Sequence, residues 1–266
     1  MKEIRLASKI IKTLVKDRIQ YSGRLILDTF SMIARCGVLL ILYWYVFKLN
    51  NGLINGTTYI VVAWSMFFYF VFSIMKLREI SRAIMQDVQT GNVEVLFCKP
   101  ISYLRYKMWW QIGSGLYSFL FVAFFGTIIL SLVIGFPATM SAVIFLPTLF
   151  ISLLGAIILS LFLYSIVGLL AFWVEDINPI FWVVDKAVMI LGGSYLPVAL
   201  FPKFMYNLAL YSPFGASQFI THTVYDSWRT DWFMLIGLQL FWIIVLGFVM
   251  YLTFLSARKK VSVNGG

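Results

Sequence analysis

Six long apolar stretches, at Asp28–Phe47, Thr58–Met75, Ile112–Ile134, Pro147–Val174, Pro179–Phe201 and Trp232–Leu255, take up most of the chain. A hydrocarbon core needs roughly 20 apolar helical residues to cross it, and each stretch is near or above that length. Runs this long lack the period-two alternation of barrel strands, and within lipid each backbone N–H must find a partner inside its own segment. The predicted fold is therefore all-α: a polytopic membrane protein with six transmembrane helices in a single transmembrane domain over residues 1–266. Only 12% of residues are charged, against about 25% in an ordinary soluble domain.

Basic residues set the orientation. Of 21 Lys and Arg, eight lie at or before Arg35, six lie between Lys76 and Lys107, and three form the tail Arg258, Lys259 and Lys260. Lys48, Lys203 and Arg229 fall on the other side, and Lys186 lies within the fifth stretch. Both termini are thus expected in the cytoplasm. The net charge of +10 follows from topology and attraction to anionic membrane lipid, and a nucleic-acid partner is not needed to explain it.

The first apolar span follows a charged segment too long for a signal peptide's n-region. On a helical wheel Lys2, Arg5, Lys9, Lys12 and Lys16 share one face, and Ile4, Ala7, Ile11, Leu14, Val15 and Ile19 share the other. Residues 1–24 therefore read as an interfacial helix on the inner leaflet, bent into the first span near Tyr21–Arg24. Cys36 and Cys98 lie toward the reducing cytoplasmic side and match no metal spacing, so they read as small buried residues.

Two connections are long. In the cytoplasmic one, residues 76–111, Leu77, Ile80, Ile84 and Val88 recur at helical spacing, Gly91 stops the helix, and Ser102 is placed to cap the helix entering the third span. Such a loop suits either partner docking or a spacer at the membrane surface. The outer one, residues 202–231, is rich in aromatics and broken by Pro213 and Gly215. It reads as short helices dipping into the outer leaflet and returning, either as a gate or as an interfacial anchor. Gly113, Gly115, Gly155, Gly168, Gly192 and Gly193 mark close helix approach. Gly192, Gly193 and Pro197 also suggest a break in the fifth span, and Pro147 separates a short outer helix from the fourth.

Reactive chemistry is sparse. No G-x-x-x-x-G-K-[ST] string occurs, so this chain does not hold ATP by a P-loop. The one histidine, His222, has only Asp226 at i+4 as a nearby acid, which is poor material for a membrane enzyme. The ionisable residues in or beside spans are Asp28, Arg35, Glu175, Asp176, Asp185 and Lys186, and Asp185 and Lys186 point about 100° apart. Carboxylates at mid-membrane are few, which weakens an ion-coupled transporter or channel, though that reading stays open.

Five strings carry a resemblance: Thr90–Tyr106 (TGNVEVLFCKPISYLRY), Phe172–Lys186 (FWVEDINPIFWVVDK), Leu191–Pro202 (LGGSYLPVALFP), Tyr211–Phe214 (YSPF) and the Gly265-Gly266 end after a basic tail. Together they are similar to type 2 ATP-binding-cassette (ABC) transporter permeases, within a bacterial branch of six-span export permeases. The resemblance implies an N-terminal elbow helix, a coupling helix seated in a groove of a separate ATPase, and re-entrant helices before the last span. It also implies a non-catalytic exporter subunit in the bacterial plasma membrane, paired with a second permease of the same or a related kind and with two P-loop ATPase subunits that bind the ATP and Mg. Carried onto this sequence, the coupling region is Leu77–Tyr103, with Arg82, Gln86, Asp87, Gly91, Asn92 and Glu94 as contact candidates and Glu175 and Asp176 in a supporting turn. A drug, a peptide and a lipid-like molecule all remain open as substrate.

Overall fold

The computed structural model of the chain describes residues 2–20, 22–97, 101–141 and 143–264. Tyr21, Cys98 and Gly265–Gly266, on which expectations above rested, lie outside the described residues. From the N-terminus the helices are α1 (Lys2–Gln20), α2 (Ser22–Leu49), α3 (Tyr59–Ser73), α4 (Glu79–Gln89), α5 (Asn92–Phe97), α6 (Tyr103–Ile134), α7 (Phe145–Leu169), α8 (Asn178–Leu191), α9 (Lys203–Tyr211), α10 (Pro213–Ala216) and α11 (Trp228–Asn264). The strand structure described is one antiparallel hairpin, Leu53–Ile54 against Thr57–Thr58. The protein is all-α and membrane-embedded.

Among the described residues, four helical stretches are long and apolar enough to cross a membrane: Thr29–Leu49 in α2, Tyr103–Ile134, Phe145–Phe172 and Trp228–Lys260. The two other expected spans are shorter helices than their apolar runs. With 15 residues, α3 is about 22 Å long; it stops where the chain turns at Lys76 (φ 51°), whose carbonyl accepts a hydrogen bond from Gln111 Nε2 at 2.9 Å. With 14 residues, α8 is about 21 Å long and ends at Gly192, before a looser path to Phe201. The break in the fifth span thus falls at Gly192, where the glycines suggested it, whereas at α3 hydropathy registers the apolar run but not the turn that ends the helix.

The core is built around α3, whose residues Val62, Ala63, Trp64 and Met66 are fully buried. Several of its polar atoms have defined partners. Trp64 Nε1 donates to the Gly135 carbonyl at 2.8 Å, the Ser65 and Tyr225 hydroxyls pair at 2.7 Å, and the Tyr59 hydroxyl donates to the Leu40 carbonyl at 3.2 Å. Beside it α7 and α11 pack along each other, with Gln239 of α11 crossing over Gly155 to donate to the Ser152 and Ala216 carbonyls (3.3 and 3.0 Å). Glycine is required at such crossings: a Cβ on Gly115 would lie 2.5 Å from the Met75 carbonyl oxygen, and one on Gly113 would lie 2.9 Å from Leu14 Cδ1.

That last contact places α1. Ile11 and Leu14 are half-buried against α6, while Lys9, Lys12 and Lys16 are exposed. The apolar face of α1 therefore rests in good part on protein, with the basic face left for the surroundings.

At the far end, α9, α10 and a 3-10 turn over Phe219–Val224 fold back against the core. The Ser212 hydroxyl accepts from the Gly215 amide at 3.1 Å and caps α10, and the Ala209 carbonyl sits directly against Gly215. Phe219, Tyr225 and Trp228 are buried, while Phe204 and Tyr211 are exposed, so only part of this aromatic segment is free to meet lipid. His222 is buried edge-on between the rings of Phe219 and Tyr225, and burial pushes its pKa down to about 4. Asp226 is exposed instead of facing it.

Candidate functional site

Two features at the basic end stand out: an exposed tip formed by α4, α5 and the α7–α8 turn, and the buried polar contacts that tie this tip to the spans.

Helix α4 is amphipathic, and its inner face, Ile80, Ser81 and Ile84, is buried against α7. A Cβ on Gly168 would lie 2.9 Å from Ser81 Cα and 3.0 Å from Ile84 Cβ, so the glycine in α7 is what lets the two helices come this close. After Gln89 the helix stops, and Gly91 takes φ +72°, a left-handed turn that a side chain would strain. The next helix, α5, starts at Asn92. Ser102 sits at the N-cap of α6 as expected, but its hydroxyl makes no capping hydrogen bond. The helix start is fixed instead by Tyr103 and Lys107, one turn apart, both of which reach Asp87.

Asp87 is a buried hub. The Tyr103 hydroxyl donates to Asp87 Oδ2 at 2.7 Å, and Lys107 Nζ lies 2.6 Å from the same oxygen. Arg82 pairs with Glu79 at 3.2 Å and lies 4.3 Å from the Phe181 ring centroid and 5.5 Å from that of Trp182. Asp87 therefore faces the interior of the protomer, while Arg82, its side chain 36% exposed, lies over α8 at the edge of the tip. Gln86, Gly91, Asn92, Glu94, Glu175 and Asp176 are exposed at the tip. Asp176 also accepts from the Asn178 amide and side chain (2.9 and 2.7 Å), fixing the start of α8. The two parts of the tip are joined, since Gln89 Nε2 donates to the Glu175 carbonyl at 2.8 Å. Val95, 65% exposed, adds an apolar point. Three carboxylates, Glu94, Glu175 and Asp176, are exposed at this tip, with Lys260 of α11 beside it, 5.4 Å from the Trp173 ring centroid.

A second hub lies deeper. Asp185 of α8, 2% exposed, receives Arg78 (3.1 Å to Oδ2) and the Tyr164 hydroxyl (3.0 Å to Oδ1). Burial works against the Arg78 charge, but the Asp185 carboxylate outweighs it and holds the guanidinium above its ordinary pKa. One carboxylate thus joins the segment before α4 to α7 and α8. Lys186 points outward, 5.3 Å from the Trp182 ring centroid. Arg35 is exposed and donates to the Ser31 carbonyl (3.1 Å) and hydroxyl (3.3 Å). Arg78, Tyr164, Tyr103, Lys107 and Gln89 were absent from the sequence-based candidates, because their partners lie 16 to 107 residues away. Among the described residues no three His, Cys, Asp or Glu side chains come together as a metal site.

Residues 35–265 match the family model described as ABC-2 family transporter protein. The chain belongs to the ABC-2 transporter family. This makes it the membrane permease component of an ABC transporter, whose family domains are not themselves catalytic. No curated protein matches the sequence significantly. In this ABC-2 permease the matched region takes in both hubs and the exposed tip, leaving outside it α1 and the start of α2.

Proposed function

We propose that this chain is one of two permease subunits in an ATP-driven exporter of the bacterial plasma membrane, with both termini cytoplasmic and two separate P-loop ATPases bound at the exposed tips of α4, α5 and the α7–α8 turn. The observation that carries the reading is the division of labour along α4 and α5. One face is locked to α6, α7 and α8 through Asp87, Arg82 and Ile84, while Gln86, Asn92, Glu94 and Glu175 are exposed together at its end. A partner pushing on such a tip moves the helices to which it is tied.

In this mechanism ATP closes the two ATPase subunits, the tips move with them, and the spans carry the motion to a path between the permease protomers. The free energy comes from the ATPases' different affinity for the two permease states. The chain supplies no bond chemistry. Ion-coupled transport without an ATPase would call for a carboxylate free to load and release a cation, whereas Asp185 is held by Arg78 and Tyr164.

The test is affinity purification of the chain from its native membrane in mild detergent, followed by mass identification of bound proteins. Recovery of a P-loop ATPase supports the reading, and a second permease in the sample defines the pairing. A chain that emerges alone, even after crosslinking, removes ATP-driven transport.

A further inference from the structure

Helix α1 lies outside the matched region, which begins at residue 35. Its apolar side is already occupied: a Cβ on Gly113 of α6 would lie 2.9 Å from Leu14 Cδ1 and 3.1 Å from Ile11 Cα. Ala7 is buried, and Leu6, Ile10 and Val15 are half-buried. A surface helix is ordinarily held by sinking its apolar side among acyl chains. Here α6 has taken most of that side, with Ile19 the exposed exception.

What α1 presents outward is charge. Arg5, Lys9, Lys12 and Lys16 are exposed, and at about 100° per residue they fall within about 60° of one another. Among the described residues no carboxylate pairs with any of the four; Asp17, also exposed, is turned about 100° from Lys16. The surface of α6 fixes the depth at which this charge stands. Trp109 and Trp110 are exposed one turn before Gly113, and past Gly113 the exposed side chains are Leu120, Phe124 and Phe125. Trp110 lines a small cleft together with Arg18 of α1, so the two helices meet at this level. Tryptophans exposed where an apolar surface starts mark the headgroup region. The four cations of α1 therefore stand at the depth of lipid phosphates.

We propose that the basic face of α1 is a docking surface for acidic phospholipid in the leaflet on its own side, and that lipid charge, in place of insertion, clamps α1 onto α6. Each cation held near an anionic surface is worth about fivefold in association. An acidic protein would meet the same charge, but the position of α1 at headgroup depth favours lipid. The surface needs no ATPase, so its test is independent of the ATP-driven reading.

The experiment uses the full chain alone, reconstituted in phosphatidylcholine vesicles with a trace of phosphatidylglycerol bearing a photoreactive diazirine on its headgroup, or of phosphatidylcholine bearing the same group. Mass spectrometry maps the adducts. Adducts on α1, taken relative to those on α9 at the far end, should be at least about fivefold more frequent with the phosphatidylglycerol probe. The preference should vanish in a variant carrying Lys9→Gln, Lys12→Gln and Lys16→Gln, and also in about 1 M salt, where the Debye length is about 3 Å. Lys203→Gln, exposed at the far end, should leave it unchanged. Amide exchange along α1 should be slower in phosphatidylglycerol than in phosphatidylcholine vesicles, a difference lost in the same triple variant. The three lysines are exposed, and if the triple variant fails to fold, the salt response of the parent chain decides. Equal labelling by the two probes, as expected if the face awaits an acidic protein, overturns the proposal. So does a preference indifferent to salt and to the substitutions, or exchange in α1 that ignores the headgroup.

Discussion

Asp87 and Glu94 are both acidic and lie seven positions apart, and the structure gives them opposite tasks. Asp87 holds Tyr103 and Lys107 inside the protomer, whereas Glu94 projects from α5 with open surroundings. Replacing Asp87 with Lys sets two cations together in a buried place. Asp87→Lys should therefore lower stability by about 3 kcal/mol, seen as a lower thermal unfolding midpoint in detergent, before any effect on a partner. Glu94→Lys should leave that midpoint nearly unmoved, within about 0.5 kcal/mol, and weaken retention of the proposed ATPase. Loss of stability in the Glu94 variant, or none in the Asp87 variant, contradicts the assignment. His222 gives a pH signature. Its folded pKa of about 4 lies below its ordinary 6.5, so the folded state resists protonation, and stability that is complete above pH 6.5 falls as pH drops toward 4. A His222→Phe variant should lose less stability over that window than the parent chain in the same detergent.

Close approach between helices depends on glycine, and the short helices depend on where the chain turns. Gly113, Gly115, Gly155 and Gly168 stood out in the sequence because a small residue inside an apolar run has few uses other than letting two backbones meet, and each is crowded in the structure. The stop at Gly91 was legible for a similar reason, since left-handed backbone favours glycine. The end of α8 was legible, since Gly192, Gly193 and Pro197 signalled a break and the helix stops at Leu191, but the length of α3 was not, because its apolar run continues past Ser73 while the helix does not. Nor were the hubs: Arg78 and Asp185 are 107 positions apart, and no local pattern joins them. Of the eight candidate residues, six lie at the exposed tip, Asp87 turns inward and Arg82 lies half-buried over α8, a distinction that hinges on partners in α6 and α8. Gly168→Val should push α4 away from α7 and cost about 1–3 kcal/mol by overpacking, measurable as a lower unfolding midpoint. Gly91→Ala has open space around its Cβ and should cost about 1 kcal/mol from backbone strain alone. Equal effects from the two changes would mean that the α4–α7 contact is loose.

Taken whole, the molecule shows an apolar exterior, with Ile41 of α2, Leu132 and Val133 of α6, and Phe233 and Ile244 of α11 all at least 70% exposed. Lipid or a second permease is the natural cover for such surfaces. Orientation is testable at the two ends. In a chain with Cys36→Ala and Cys98→Ala, Ser227→Cys should react with a membrane-impermeant maleimide on intact cells, and Thr90→Cys only after permeabilisation; the reverse pattern inverts the proposed topology. Between those ends runs α6. Its first turn is gripped by Asp87, the Met75 carbonyl bears on it at Gly115, and the Gly135 carbonyl just past its far end is tied to Trp64. At 1.5 Å per residue the arm from Tyr103 to Gly115 is about 18 Å and the arm from Gly115 to Ile134 about 28 Å. A stiff beam resting at Gly115 multiplies displacement by about 1.6, so a push of about 2 Å on the short arm reaches the other end as about 3 Å. If the proposed ATPase moves its first turn, a helix bearing on Gly115 would trade force for travel.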